Sequence, residues 1–201
     1  MDLLRESTKD LHSSAEGNQF QHLLGSGKVE KDDYCRYLQQ LYVLHKTLGE
    51  LLQERKAHPA LHKIVQDYHF DLTCLKNDLG FFNQTAEASQ AVPATSELTS
   101  AMSRTAAHSP AGLLGYLYVL EGSTNGAKFL AKALRAGLNL PETAGASYFD
   151  RYGDKQRERW MKFKEDMNEL EFSDEERAEL VANAKETFHT FSKIGNQLLN
   201  K

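Results

Sequence analysis

At 201 residues, with 40% hydrophobic and 26% charged residues, the chain has the size and balance of one soluble domain with its own core. The formal net charge of -4 argues against non-specific nucleic-acid binding. No apolar run reaches bilayer length, MDLLRESTKDLH lacks a secretory apolar region, and Cys35 and Cys74 show no CxxC spacing, so a cytoplasmic protein with reduced thiols is expected.

The first predicted helix runs from Asp2 to Glu16, with Leu3, Leu4, Ser7, Leu11 and Ala15 at helical spacing, and Gly17-Asn18 stops it. A helical turn over Phe20 to Leu24 follows. Lys31 to Lys56 forms a long helix whose apolar stripe includes Tyr34, Leu38, Leu41, Leu44, Leu48 and Leu51. His58-Pro59 breaks it and opens a shorter helix, and Phe70 to Leu79 makes another. Asn83 to Thr95 reads as a loop and Ser96 to Ala107 as a helix. Ser109-Pro110 then supplies N-cap and first residue for a helix that includes Tyr116 to Leu134. Gly137 to Ala146 is a second loop. A charged helix is predicted from Ser147 to Leu170, and Ser173 caps the last helix, which runs to Leu198. With four prolines, few β-branched runs and no internal repeat, the reading is all-α: one irregular helical bundle over residues 1–201.

The stretch YLYVLEGSTNGAKFLAKAL (Tyr116 to Leu134) stands out because Gly122 and Gly126 lie inside it. An interior helical glycine costs roughly 1 kcal/mol against alanine, so something must offset the pair. Four residues apart, they share one face of a continuous helix, which then offers bare backbone flanked by Ser123 and Asn125. Close helix packing with a local bend is the plain explanation. Among eight histidines none forms an HExxH pair; His58 and His62 follow a helix break, and His22, His45, His69, His108 and His189 have no local pattern. His12 differs: it sits beside Leu11 and Ala15 on the inward stripe of the first helix, with Glu16 one turn on to hold its second ring nitrogen. There is no nucleophile elbow, phosphate loop or apolar-set carboxylate pair. A bare helix face and one axial-type histidine on another helix suggest haem between the two, with Arg5 and Lys9 as cations for its propionates.

LRESTKDLHSSAE (Leu4 to Glu16) resembles the proximal-helix motif of the haem oxygenase family, and LYVLEGSTNGAKFL (Leu117 to Leu130) is similar to the distal-helix motif of its soluble bacterial branch. Weaker similarity runs through YCRYLQQLYVLHKTLGELL and from Lys162 to Phe191, in order along nearly the whole chain. The resemblance implies the haem oxygenase fold, with haem between the first helix and a kinked, glycine-containing distal helix. It implies cleavage of haem by O2 and an external electron donor, a ferredoxin, flavin reductase or small reductant, to biliverdin, CO and ferrous iron. It makes His12 the iron ligand, Glu16 its partner, Gly122 and Gly126 the distal glycines, and Ser123 the distal serine. Asn125 departs from a position usually apolar and is expected to reach the distal water if its amide points inward. A basic residue on the first helix with Tyr118 on the distal helix implies biliverdin IXα, with Arg159 and Lys162 as further cations. The chain ends at GNQLLNK without the apolar anchor of membrane-bound relatives. A haem carrier or sensor on the same scaffold and a thiaminase-like helical enzyme are the alternatives. No nucleic-acid or membrane partner is expected.

Overall fold

A computed structural model describes residues 1–200, the side chain of Glu16 excepted. Among them the apolar periodicities become α1 (Asp2–Glu16), α2 (Gln19–Gly25), α3 (Lys31–Glu54), α4 (Pro59–Ile64), α5 (Thr73–Phe81), α6 (Pro93–His108), α7 (Leu113–Gly122), α8 (Thr124–Gly137), α9 (Gln156–Asn168) and α10 (Asp174–Leu199). No helix is long and apolar enough to cross a membrane. α10 is the hub, packing on α1, α2, α3, α6 and α7. Its start is a capping box: Ser173 Oγ accepts from the Glu176 amide, and Glu176 accepts from the Ser173 amide. α3 delivers the predicted stripe, with Tyr34, Leu38, Leu41, Leu44 and Leu48 in the core. α7 is apolar on every side and is buried along nearly its whole length. It can lie against α10 because Gly115 has no Cβ, which would overlap the Leu180 carbonyl there.

Several element boundaries move from their predicted places, each for a local reason. Gly17 ends α1 right-handed at φ -76°, and Asn18 serves the next helix, its Oδ1 accepting the Phe20 amide. Asp71 Oδ1 accepts the Thr73 amide at 2.9 Å, so the helix predicted from Phe70 starts at Thr73, behind a 3-10 turn at Asp67–Phe70. α6 begins at Pro93, earlier than Ser96, since proline has no N–H to leave unbonded in a first turn. Ser109 makes no side-chain cap, and Pro110–Gly112 is a 3-10 turn ahead of α7.

Two larger corrections bear on the site. The predicted helix from Ser147 to Leu170 is instead two 3-10 turns, Ser147–Asp150 and Gly153–Lys155, followed by α9. Buried Asp78 of α5 accepts the Ser147 and Tyr148 amides at 2.9 and 2.8 Å, and Gly153 turns left-handed at φ 52°, so the chain cannot coil continuously. The predicted glycine helix is likewise not one helix but two, broken between α7 and the body of α8.

Candidate functional site

The break follows directly from the sequence STNG. Asn125 has φ -70° and ψ 98°, and Gly126 has φ 102° and ψ -12°. The first turns the Gly126 N–H away from the Gly122 carbonyl; the second is open at low cost to glycine alone. Three side chains then bond the carbonyls that end α7. Ser123 Oγ donates to Leu120 O at 2.7 Å, Thr124 Oγ1 to Glu121 O at 2.7 Å, and Asn125 Nδ2 to Gly122 O at 3.0 Å. Short polar side chains bonding back in this way end or bend helices. Gly122 and Gly126 therefore do not stack on one continuous helical face. A Cβ on Gly122 would touch the Trp160 ring at 3.5 Å, whereas one on Gly126 would meet nothing within 4 Å.

Between α1 and this break lies a cavity of about 650 Å³, well inside the range of cofactor sites. Phe188 and Phe191 of α10, Trp160 of α9 and Phe129 of α8 make it mostly apolar. His12 lines it from α1, edge-on to Phe188 with ring centroids 5.9 Å apart. Gly122, Ser123, Asn125 and Gly126 line it from the break. An apolar slot with a histidine on one helix and bare backbone on the other fits a flat, iron-bearing macrocycle.

Of the remaining predicted residues, Arg5 lines the cavity, its guanidinium held by Glu6 at 3.0 Å and Asp2 at 3.7 Å. With 69% of its side chain exposed, that pairing is weak and yields readily to a bound anion. Lys9 shares the face of α1 that bears Arg5 and His12 but is exposed and does not line the cavity. The Glu16 side chain lies outside the described residues. Tyr118 lines the cavity and packs on Trp160, ring centroids 6.0 Å apart, with its hydroxyl on the Thr8 side of α1. Asn125 does not turn its amide inward: Nδ2 holds Gly122 O, and Oδ1 accepts from Gln156 at 2.8 Å. Arg159 stacks on Tyr68 and Tyr152 and Lys162 pairs with Asp166 at 2.8 Å, so neither faces the cavity.

Behind the break sits a buried polar cluster that the sequence reading missed. Arg151 Nη2 and the Tyr152 hydroxyl both donate to Glu121 Oε1 at 2.9 Å. Burial pushes the Glu121 carboxyl up, and Arg151 and Tyr152 pull it back. Arg151 Nη1 lies 3.2 Å from His45 Nε2, and the Tyr148 hydroxyl lies 2.7 Å from the same nitrogen. A guanidinium can only donate, so that nitrogen carries its lone pair, and burial together with Arg151 holds His45 neutral, well below the usual histidine range. Burial, with Arg151 and Arg159, likewise brings His69 down to about 3. The only local signals were Glu121 just before the glycine and the run YFDRYGD, which a helical pattern disguises. Among the described residues no group of three or more His, Cys, Asp or Glu could hold a metal ion.

An all-α protein in which a histidine and a glycine break line one apolar slot has the make-up that a haem-binding protein requires. The family model described as Heme oxygenase matches residues 1–197. Heme oxygenase 1 of Synechocystis sp. is 28% identical over 97% of this chain and 82% of its own, and heme oxygenase of Guillardia theta is 25% identical over 97% and 84%. The solved heme oxygenase of Leptospira interrogans superposes with a TM-score of 0.88 at 26% identity, covering 98% of this chain and 100% of that one. That of heme oxygenase-1 from Synechocystis sp. in complex with heme gives 0.89 at 26%, covering 98% and 90%. The chain belongs to the haem oxygenase family, and it is an enzyme of haem degradation.

Proposed function

We propose that the chain binds haem between α1 and the α7–α8 break, with His12 as its iron ligand, and opens the ring with O2 to give biliverdin IXα, CO and ferrous iron. The observation that supports this is that His12 of α1 and the Gly122–Gly126 break line one mostly apolar cavity. Bound haem is both substrate and cofactor, its iron activating O2 against the ring's own carbon. The protein's share is positional. Gly122 and Gly126 would offer haem bare backbone with no Cβ between, and Phe188, Phe191 and Trp160 would keep water from it. Arg5 leaves Glu6 to hold a propionate. Electrons come from a ferredoxin, a flavin reductase or a small reductant, and the free thiols of Cys35 and Cys74 suit a reducing cytoplasm.

Haem titration of the purified protein should give a 1:1 complex with a sharp Soret band, and ascorbate in air should bleach it with release of a bilin. His12→Ala should lose the histidine-ligated ferric spectrum and turnover while apolar contacts retain haem. A parent complex stable under ascorbate and air would make this a carrier or sensor instead.

A further inference from the structure

The segment 147–156 runs behind the helix break and grips it at two points. At one, Arg151 lies under the rings of Tyr148 and Tyr152, 5.1 and 4.8 Å from their centroids. It donates to Glu121 Oε1 at 2.9 Å and approaches Leu120 O at 3.5 Å. At the other, Gln156 Nε2 donates to Asn125 Oδ1 at 2.8 Å and Thr124 Oγ1 at 3.2 Å. Thr124 and Asn125 are themselves engaged with the carbonyls of Glu121 and Gly122, so Gln156 steadies the side chains that end α7. The segment does not float: Asp78 of α5 anchors its start through the Ser147 and Tyr148 amides.

A break made of one non-helical ψ and one left-handed glycine has wide torsional freedom of its own. α8 beyond it carries Phe129 and Leu130 on the cavity wall, while Tyr118 comes from α7 before it. A change of angle at the break therefore reshapes the slot. Charge-assisted, buried bonds are the strongest directional restraint available to fix that angle. We propose that Arg151 and Gln156 are positioning residues that fix the end of α7 and the Thr124–Asn125 entry to the α7–α8 break, and so set how haem is seated beneath it. This rests on the haem reading above and adds a determinant of which ring edge is opened.

Gln156→Glu keeps the side chain's size but presents a carboxylate that cannot donate to Asn125. The paired change Glu121→Met with Arg151→Met removes both buried charges together, which preserves folding far better than removing one. Hydrogen–deuterium exchange on the apoprotein should show amides from Gly122 to Ala127 exchanging about tenfold faster in either variant, with α1 and α10 unchanged. Both variants should still give a Soret band with haem, yet release a mixture of bilin isomers where the parent releases one. Exchange at the break within about twofold of the parent, or an unchanged single isomer, would overturn the proposal. If the paired variant aggregates, Gln156→Glu alone decides on the same two readouts. No Soret band in the parent would sink the haem reading itself, and the exchange result would then count for or against the grip alone.

Discussion

His12, Gly122 and Gly126 were all visible in the sequence, yet the two glycines have different physical duties. Gly122 keeps helical backbone, and a methyl there meets Trp160 at an ordinary contact distance of 3.5 Å. Gly126 stands at φ 102°, where any Cβ strains the backbone. The reading of one continuous helix predicts that alanine at either position adds stability; the structure reverses that for Gly126. Gly122→Ala should leave apoprotein stability unchanged or raise it by up to about 1 kcal/mol. Gly126→Ala should lower it by about 1–3 kcal/mol. Urea denaturation of the two apoproteins checks the split, and equal effects of the same sign would mean that the break is absent in solution. Asn125 was legible as unusual but not as a cap, because its bond to the Gly122 carbonyl exists only once the helix is broken.

At the scale of elements, periodicity located α1, α3, α6 and α10 within a few residues; α3, α6 and α10 bury stripes at helical spacing, whereas of the α1 stripe only Leu4 is buried, with Leu3 and His12 exposed. It failed over 147–155, where the fold is set by Asp78, some 69 residues away in sequence, and no local pattern carries that information. With that stretch misread as helix, Arg151, Tyr148 and Tyr152 went unnoticed, and so did their partners His45 and Glu121. Gly115 was also passed over, since one glycine in an apolar run gives no hint of what will press on it. In the fold it allows α7 to cross α10 at backbone distance, with Asn183 Cβ only 3.0 Å from where its own Cβ would be. Gly115→Ala should therefore push the two helices apart and cost about 1–3 kcal/mol, despite alanine's better helix propensity. Because α7 carries Tyr118 into the haem wall, the same variant should bind haem more weakly. A melting temperature and a Soret titration matching the parent would show that the α7–α10 crossing has room for a methyl group in solution.

For the molecule as a whole, the polar cluster behind the break makes stability depend on pH. His45 and His69 are both held neutral in the fold, His69 down at about 3, against 6.5 for an ordinary histidine. A depressed histidine means that the unfolded chain takes up a proton that the folded chain refuses. The stability is thus complete above about pH 6.5 and is lost progressively as pH falls from 6.5 toward 3. At pH 5.5 His69 alone costs about 1.4 kcal/mol, and His45 acts in the same direction. Glu121 works the other way, since burial raises its carboxyl and protonation there favours the fold as pH falls. The two senses separate by difference. His69→Gln cannot titrate at this site, so its stability should fall less between pH 7.5 and 5.5 than the parent's, by about 1.4 kcal/mol. Guanidinium denaturation of parent and variant at the two pH values measures this directly. If the two proteins lose the same amount, His69 is solvated in solution, and the compact cluster linking Glu121 to the haem wall does not persist there.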